Sequence, residues 1–211
     1  MVRPNFARSE RAALCDLFDT VGPGKPTLCA GWSTRDLAAH LVVRDRRPDA
    51  AAGIVFKPLA GHLEAVRRAA AAQDYRHLVD LVRHPSPWSL AGLPAIDRAV
   101  NTAEFFIHHE DVRRGVSGWA PRTLPHGLDD ALIAQVRLAA RFRLRGFPAA
   151  LSIVSPGYPP ISAGLGGPTI RVTGEPGEVA LFFSGRQGAA YVDVDGPADL
   201  AGRLRTARLG V

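Results

Sequence analysis

A chain of 211 residues is long enough to bury a sizeable core in one domain or two. With 46% apolar and 22% charged residues, no apolar run of bilayer length and no apolar stretch behind the charged first ten residues, it reads as an ordinary globular protein without a signal peptide. The expected setting is cytoplasmic, with no membrane partner.

The formal charge of +6 comes from 26 basic residues against 20 acidic ones. They are spread along the chain, and lysine occurs only at Lys25 and Lys57. Such arginine-heavy usage, with much alanine, glycine and proline, reflects a GC-rich genome better than an electrostatic footprint, so no nucleic-acid partner is expected. Cys15 and Cys29 are the two cysteines. Their spacing fits no zinc motif, and in a reducing compartment they read as small buried hydrophobes.

The spacing of Ala12, Leu14, Leu17, Phe18 and Val21 predicts a first helix over residues 4 to 21, ended by Gly22-Pro23-Gly24. After a loop through Cys29, Ser33 is a good N-cap for a second helix reaching about Arg47. Asp36 completes a capping box, Trp32 can staple onto Leu37, and Pro48 stops the helix. On this helix His40 lies between Leu37 and Leu41 on one side and Val43 on the other, facing the core, with Arg44 one turn further on. Taken alone, a core histidine is most simply a side chain satisfied by a hydrogen bond. Residues 58 to 72 and 75 to 83 predict two more helices, and residues 85 to 94, including Trp88, a loop.

A helix is then expected from 95 to 114, closed by Gly115. It carries N-T-A-E-F-F-I-H-H-E-D-V-R-R-G at 101 to 115. Glu104 and His108 stand one turn apart, with Asn101 and Asp111 extending the row. Val100 and Ile107 flank the row on one side, Phe105 and Val112 on the other, so it points inward. Thr102, His109, Glu110 and Arg113 form the expected solvated back, with Phe106 the misfit. An inward carboxylate and imidazole need partners. A divalent ion and a metal-free Glu–His hydrogen bond serve equally well from this helix alone. His40, inward on another helix, supplies a third donor and completes a two-histidine, one-carboxylate set of the kind that holds zinc with open positions. His109 points about 100° away from His108 and is not expected to ligate. His62, His77, His84 and His126 have no partner at ligand spacing.

Trp119 lies in a Gly/Pro-rich connection and either lines a pocket or packs. Residues 128 to 145 predict a further helix, which completes a helical bundle with ligands on facing helices. Near Phe147 the composition changes. Residues 151 to 154 and 169 to 173 read as strands and 162 to 167 as a turn-rich loop between them. That loop lacks the strand–GxGxxG–helix order of a nucleotide site. Residues 178 to 183 read as a helix, 191 to 194 as a strand and 197 to 208 as a last helix. The expected organisation is a bundle over 1–147 and a small α+β element over 148–211.

C-A-G-W-S-T-R-D-L-A-A-H-L at 29 to 41 and E-F-F-I-H-H-E-D-V-R-R at 104 to 114 together resemble the mycothiol-dependent maleylpyruvate isomerase family of actinobacteria, and within it an uncharacterised metal-binding branch. The stretch G-E-P-G-E-V-A-L-F-F-S-G-R at 174 to 186 is similar to the α/β portion that follows the bundle in that family. The resemblance implies a mostly α protein, a DinB-like four-helix bundle with a small C-terminal α+β element. It places the family's ligand pattern on His40, Glu104 and His108. It implies Zn2+ as the ion and mycothiol, a low-molecular-weight thiol, as cosubstrate beside an electrophilic substrate, in an isomerase or transferase. A non-catalytic metal or thiol-conjugate binding protein would use the same trio. Arg44 is the candidate contact for an anionic substrate group, or a surface ion pair. Asp111 is the candidate acceptor orienting His108, or a charge near the helix end.

Overall fold

The computed structural model describes residues 4–54, 56–86 and 101–210. The expected loop at 87–94 with Trp88, the first turns of the ligand helix at 95–100 and the flanking Val100 lie outside the described residues. The described chain is mostly helical with a small four-stranded sheet. It divides into two compact units, Met1–Trp119 and Ala120–Val211.

The first unit contains α1 (Phe6–Val21), α2 (Thr34–Arg46), the short α3 (Pro48–Ala51), α4 (Ala60–Ala71), α5 (Tyr75–Arg83) and α6 (Thr102–Arg113). α1 packs on α5 and α6, while α2 packs on α4 and α5. Their shared core is built from Leu14, Phe18, Leu37, Leu41, Leu78 and Phe105, among others. Each fully buried side chain of this size contributes about 1.5–3 kcal/mol of transfer free energy.

The boundaries follow local chemistry. Asn5 caps α1 through the Arg8 amide, and Gly22 ends it at φ 75, a conformation that favours glycine. Ser33 and Asp36 form the expected reciprocal capping box at the start of α2. Arg67 on α4 fastens that end. Its guanidinium donates to Asp36 at 2.6 Å and lies 4.9 Å over the Trp32 ring.

In the second unit, α7 (His126–Arg143) is followed by β1 (Ala150–Val154), β2 (Ile161–Gly164), β3 (Thr169–Thr173), α8 (Pro176–Phe183), β4 (Asp193–Asp195) and α9 (Ala198–Thr206). The strand order is β2-β1-β3-β4, with β1 antiparallel to β2 and parallel to β3, and β3 antiparallel to β4. Leu151 and Ile153 pair with Ile170 and Val172 on one buried face. α8 is buried along its whole length, and its one charged residue, Glu178, accepts from the Tyr191 amide at 2.8 Å.

Two sequence expectations change here. Residues 161–164 form a strand where a loop was expected, because Leu151 and Ile153 of β1 register with Ala163 and Ile161. The division falls at Trp119 instead of Phe147, because α7 packs on α8 and β2 and so belongs with the sheet. No described helix is long and apolar enough to cross a membrane.

Candidate metal centre

α2 and α6 present their polar rows to one another. His40 Nε2 lies 3.8 Å from Glu104 Oε1, and His108 Nε2 lies 3.2 Å from the same oxygen. The candidate ligand atoms of His40, Glu104 and His108 all lie within 4.8 Å of one another. The two imidazoles meet edge to face, 5.5 Å between centroids. Trp32 covers the other side of His40 at 5.1 Å, so the capping box and Arg67 hold the aromatic wall of the site as well as the helix end.

Arg44 Nε stands 3.2 Å from Glu104 Oε1, and its Nη1 donates to Asn101 Oδ1 at 2.7 Å. The sequence offered it as a substrate contact or a surface pair. In the structure it is a largely buried pair with Glu104, their side chains 19% and 28% exposed. Asp111, fully buried, places Oδ2 at 2.9 Å from His108 Nδ1.

Burial opposes charge on His108, but hydrogen bonding to Asp111, Cys29 and Glu104 outweighs it and raises the imidazole well above its ordinary range. Burial likewise pushes Glu104 up. Hydrogen bonds with His108 and His40 and the charges of His108 and Arg44 override it, holding the carboxyl well below its usual value. His40, further from a carboxylate, is lowered by burial and stays neutral.

These residues fit a divalent ion. Asp111 at Nδ1 fixes the His108 proton on the far nitrogen and leaves Nε2 directed at the trio, the arrangement usual for metal-binding histidines. His40 offers a second neutral nitrogen and Glu104 an ionised oxygen.

The far side of α6 departs from the sequence reading. Thr102, Phe106, His109 and Glu110 are buried, not solvated. His109 Nδ1 lies 2.9 Å from Glu10 Oε2 on α1, and Glu110 receives Arg113 and Arg114. Arg114 in turn covers the Trp119 ring at 4.3 Å. Polar residues with partners can be buried as completely as apolar ones, and a hydrophobicity pattern cannot distinguish them from a wet face. His62 pairs with Asp49 and His84 with Asp80, both exposed.

Cys29, a small buried hydrophobe by its sequence, has a polar role in the structure. Its Sγ lies 3.2 Å from Asp111 Oδ2, the oxygen that also faces His108. The thiol is carried there by the 25–32 loop, docked on α6 through the Leu28 amide to the Asp111 carbonyl at 3.0 Å. No spacing signal reveals this, because 82 residues separate the two side chains.

No protein-family model matches the sequence, and no curated protein matches it. Solved structures do. The mycothiol-dependent maleylpyruvate isomerase matches with a TM-score of 0.57 and 16% identity, covering 90% of this chain and 90% of its own. A histidine-to-alanine mutant described under the same name matches at 0.55 and 15%, with the same coverage. The chain therefore shares its fold with mycothiol-dependent maleylpyruvate isomerase.

Proposed function

We propose that this chain is a divalent-metal-dependent isomerase or transferase that uses a low-molecular-weight thiol. The observation that carries the proposal is the convergence of His40, Glu104 and His108 from two helices, with ligand atoms within 4.8 Å. In this reading the first unit is a DinB-like four-helix bundle, the ion is Zn2+, the thiol is mycothiol and the setting is the cytoplasm of an actinobacterium. The shared fold with a mycothiol-dependent isomerase supports the choice of thiol.

His40, Glu104 and His108 would hold such an ion, which when bound would supply Lewis-acid chemistry favouring the thiolate, the nucleophilic form of a thiol. The protein's own residues do the rest. Asp111 keeps the His108 proton on Nδ1 and the ring aimed at the ion. Trp32 and the helix cores on either side wall His40 off from water. Charge balance favours the arrangement as well. Without metal, Glu104 and protonated His108 cancel. With a divalent ion in place of the proton the trio would carry one positive charge, a balance that would suit an anionic sulfur. Arg44, a cation at the edge of the trio, suits an electrophilic substrate with an anionic group.

The test is elemental analysis of the purified protein and of His40→Ala, Glu104→Ala and His108→Ala variants, followed by mycothiol-dependent turnover of a panel of electrophiles. About one ion per chain, lost in each variant together with thiol-dependent turnover, is the expected result. Metal-free protein that turns over as fast as the loaded form refutes the proposal. Tight binding without turnover anywhere in the panel makes the chain a metal or thiol-conjugate binder.

A further inference from the structure

His108 faces two donor sets, one at each ring nitrogen. On the Nε2 side are His40 and Glu104; on the Nδ1 side are Asp111 Oδ2 at 2.9 Å and, sharing that oxygen at 3.2 Å, Cys29 Sγ. Among the described residues, Cys29, His108 and Asp111 meet the same proximity as the first trio, with ligand atoms within 4.8 Å of one another. We infer that Cys29, Asp111 and Nδ1 of His108 form a second metal site, selective for soft, thiophilic ions, and that it excludes the first site through the tautomer of the shared histidine.

The donor chemistry sets the selectivity. A thiolate, an imidazole nitrogen and one carboxylate oxygen favour ions such as Cd2+ over the harder divalent ions that oxygen donors suit. Access is available, because Cys29 is only partly buried, whereas Asp111 is fully enclosed. On binding, the Cys29 S–H and the His108 Nδ1–H bonds break, their protons pass to solvent, and bonds from sulfur and nitrogen to the ion form. Nothing is oxidised or reduced.

Exclusion follows from the ring. A neutral imidazole has one nitrogen with a free lone pair and one that carries a proton. Loading the first trio puts the proton on Nδ1, where Asp111 accepts it. Loading the second puts it on Nε2, where Glu104 Oε1 accepts it at 3.2 Å. The fold therefore supplies an acceptor for either tautomer, and one ion at a time is compatible with a neutral His108. A soft ion at Cys29 thus works as an inhibitor of whatever the first site does.

The test is a Cd2+ titration of metal-free protein followed by thiolate-to-cadmium charge-transfer absorption in the ultraviolet. The wild type is expected to develop this band, with saturation at about one ion per chain. His40→Ala, which cripples only the first trio, is expected to keep the band, and Cys29→Ser to lose it. Absence of the band in wild-type protein at saturating Cd2+ overturns the proposal whatever the variants do. Persistence of the band in Cys29→Ser assigns it to Cys15 and overturns the proposal too.

A second titration starts from Co2+-loaded protein. One-for-one loss of the visible cobalt spectrum as the cadmium band grows is expected, and both signals at full strength together overturn the exclusion. The cobalt arm rests on the metal reading of the first trio and the cadmium arm does not. Failure to bind Co2+ therefore refutes that reading while the cadmium band still decides the second site.

Discussion

Asp111 is the residue on which the candidate centre turns. It is fully buried, and one of its oxygens faces both the His108 ring and the Cys29 thiol. An ionised carboxylate at that place holds the imidazole in one orientation and raises its basicity, whereas an amide holds it weakly. Asp111→Asn is therefore expected to weaken metal binding by about 10–100-fold while one ion per chain still binds at saturation. Competition against a chromogenic chelator measures this, and an unchanged affinity would mean that packing alone orients His108. Cys15 offers a contrast at the same scale. Burial pushes its thiol up to about 12 even though Arg83 and Arg11 pull the other way, so a thiolate-seeking reagent has little to attack until the chain unfolds.

The contact between α6 and the 25–32 loop brings the thiol side of the centre together. Gly115, just past the end of α6, lies so close to that loop that a β-carbon there would overlap the Pro26 carbonyl and approach the Thr27 Cα within 2.9 Å. Backbone on the far side cannot swing away as a flexible side chain would. Gly115→Ala is therefore expected to lift the loop, at an overpacking cost of about 1–3 kcal/mol. Denaturant unfolding checks the stability, and faster reaction of Cys29 with a thiol reagent in the native variant checks the loop. Wild-type values in both would show that the loop adapts without moving its cysteine. The start of α2 works by the same logic of backbone docking, since the capping box and Arg67 fix the helix that aims His40.

For the molecule as a whole, every candidate ligand of both sets lies in the first compact unit, and the sheet with α7, α8 and α9 lies in the second. The residues between Gly115 and His126 contain turns but no helix or strand, and most of them are exposed. A connection of that kind is where a protease meets backbone it can draw into its active site. Brief digestion with a low-specificity protease is expected to cut first between residues 116 and 125, giving two fragments that mass spectrometry assigns to the two units. A first cut inside α7 instead would place the weak point in the second unit.

The sequence by itself determined the helices that carry His40, Glu104 and His108 and the shared face of each polar row. The capping box at Ser33 and Asp36 and the 3.6-residue spacing of Leu37, His40, Leu41 and Arg44, and of Glu104, His108 and Asp111, are local properties. They survive into the fold because helix periodicity fixes which side chains share a face. The tertiary structure decided what each polar side chain meets. Thr102, His109 and Glu110 read as a solvated face, yet Glu10, Arg113 and Arg114 partner the last two and let them be buried. Cys29 read as a spare hydrophobe, yet the docked loop sets it against Asp111, 82 residues away. The helix at Pro125 read as part of the bundle, yet it covers the sheet. For His109, Cys29 and this helix the deciding partner is distant in sequence, whereas for Glu110 it lies one turn on, at Arg113 and Arg114. Burial of a polar group depends on whether such a partner reaches it, and periodicity carries no information about that.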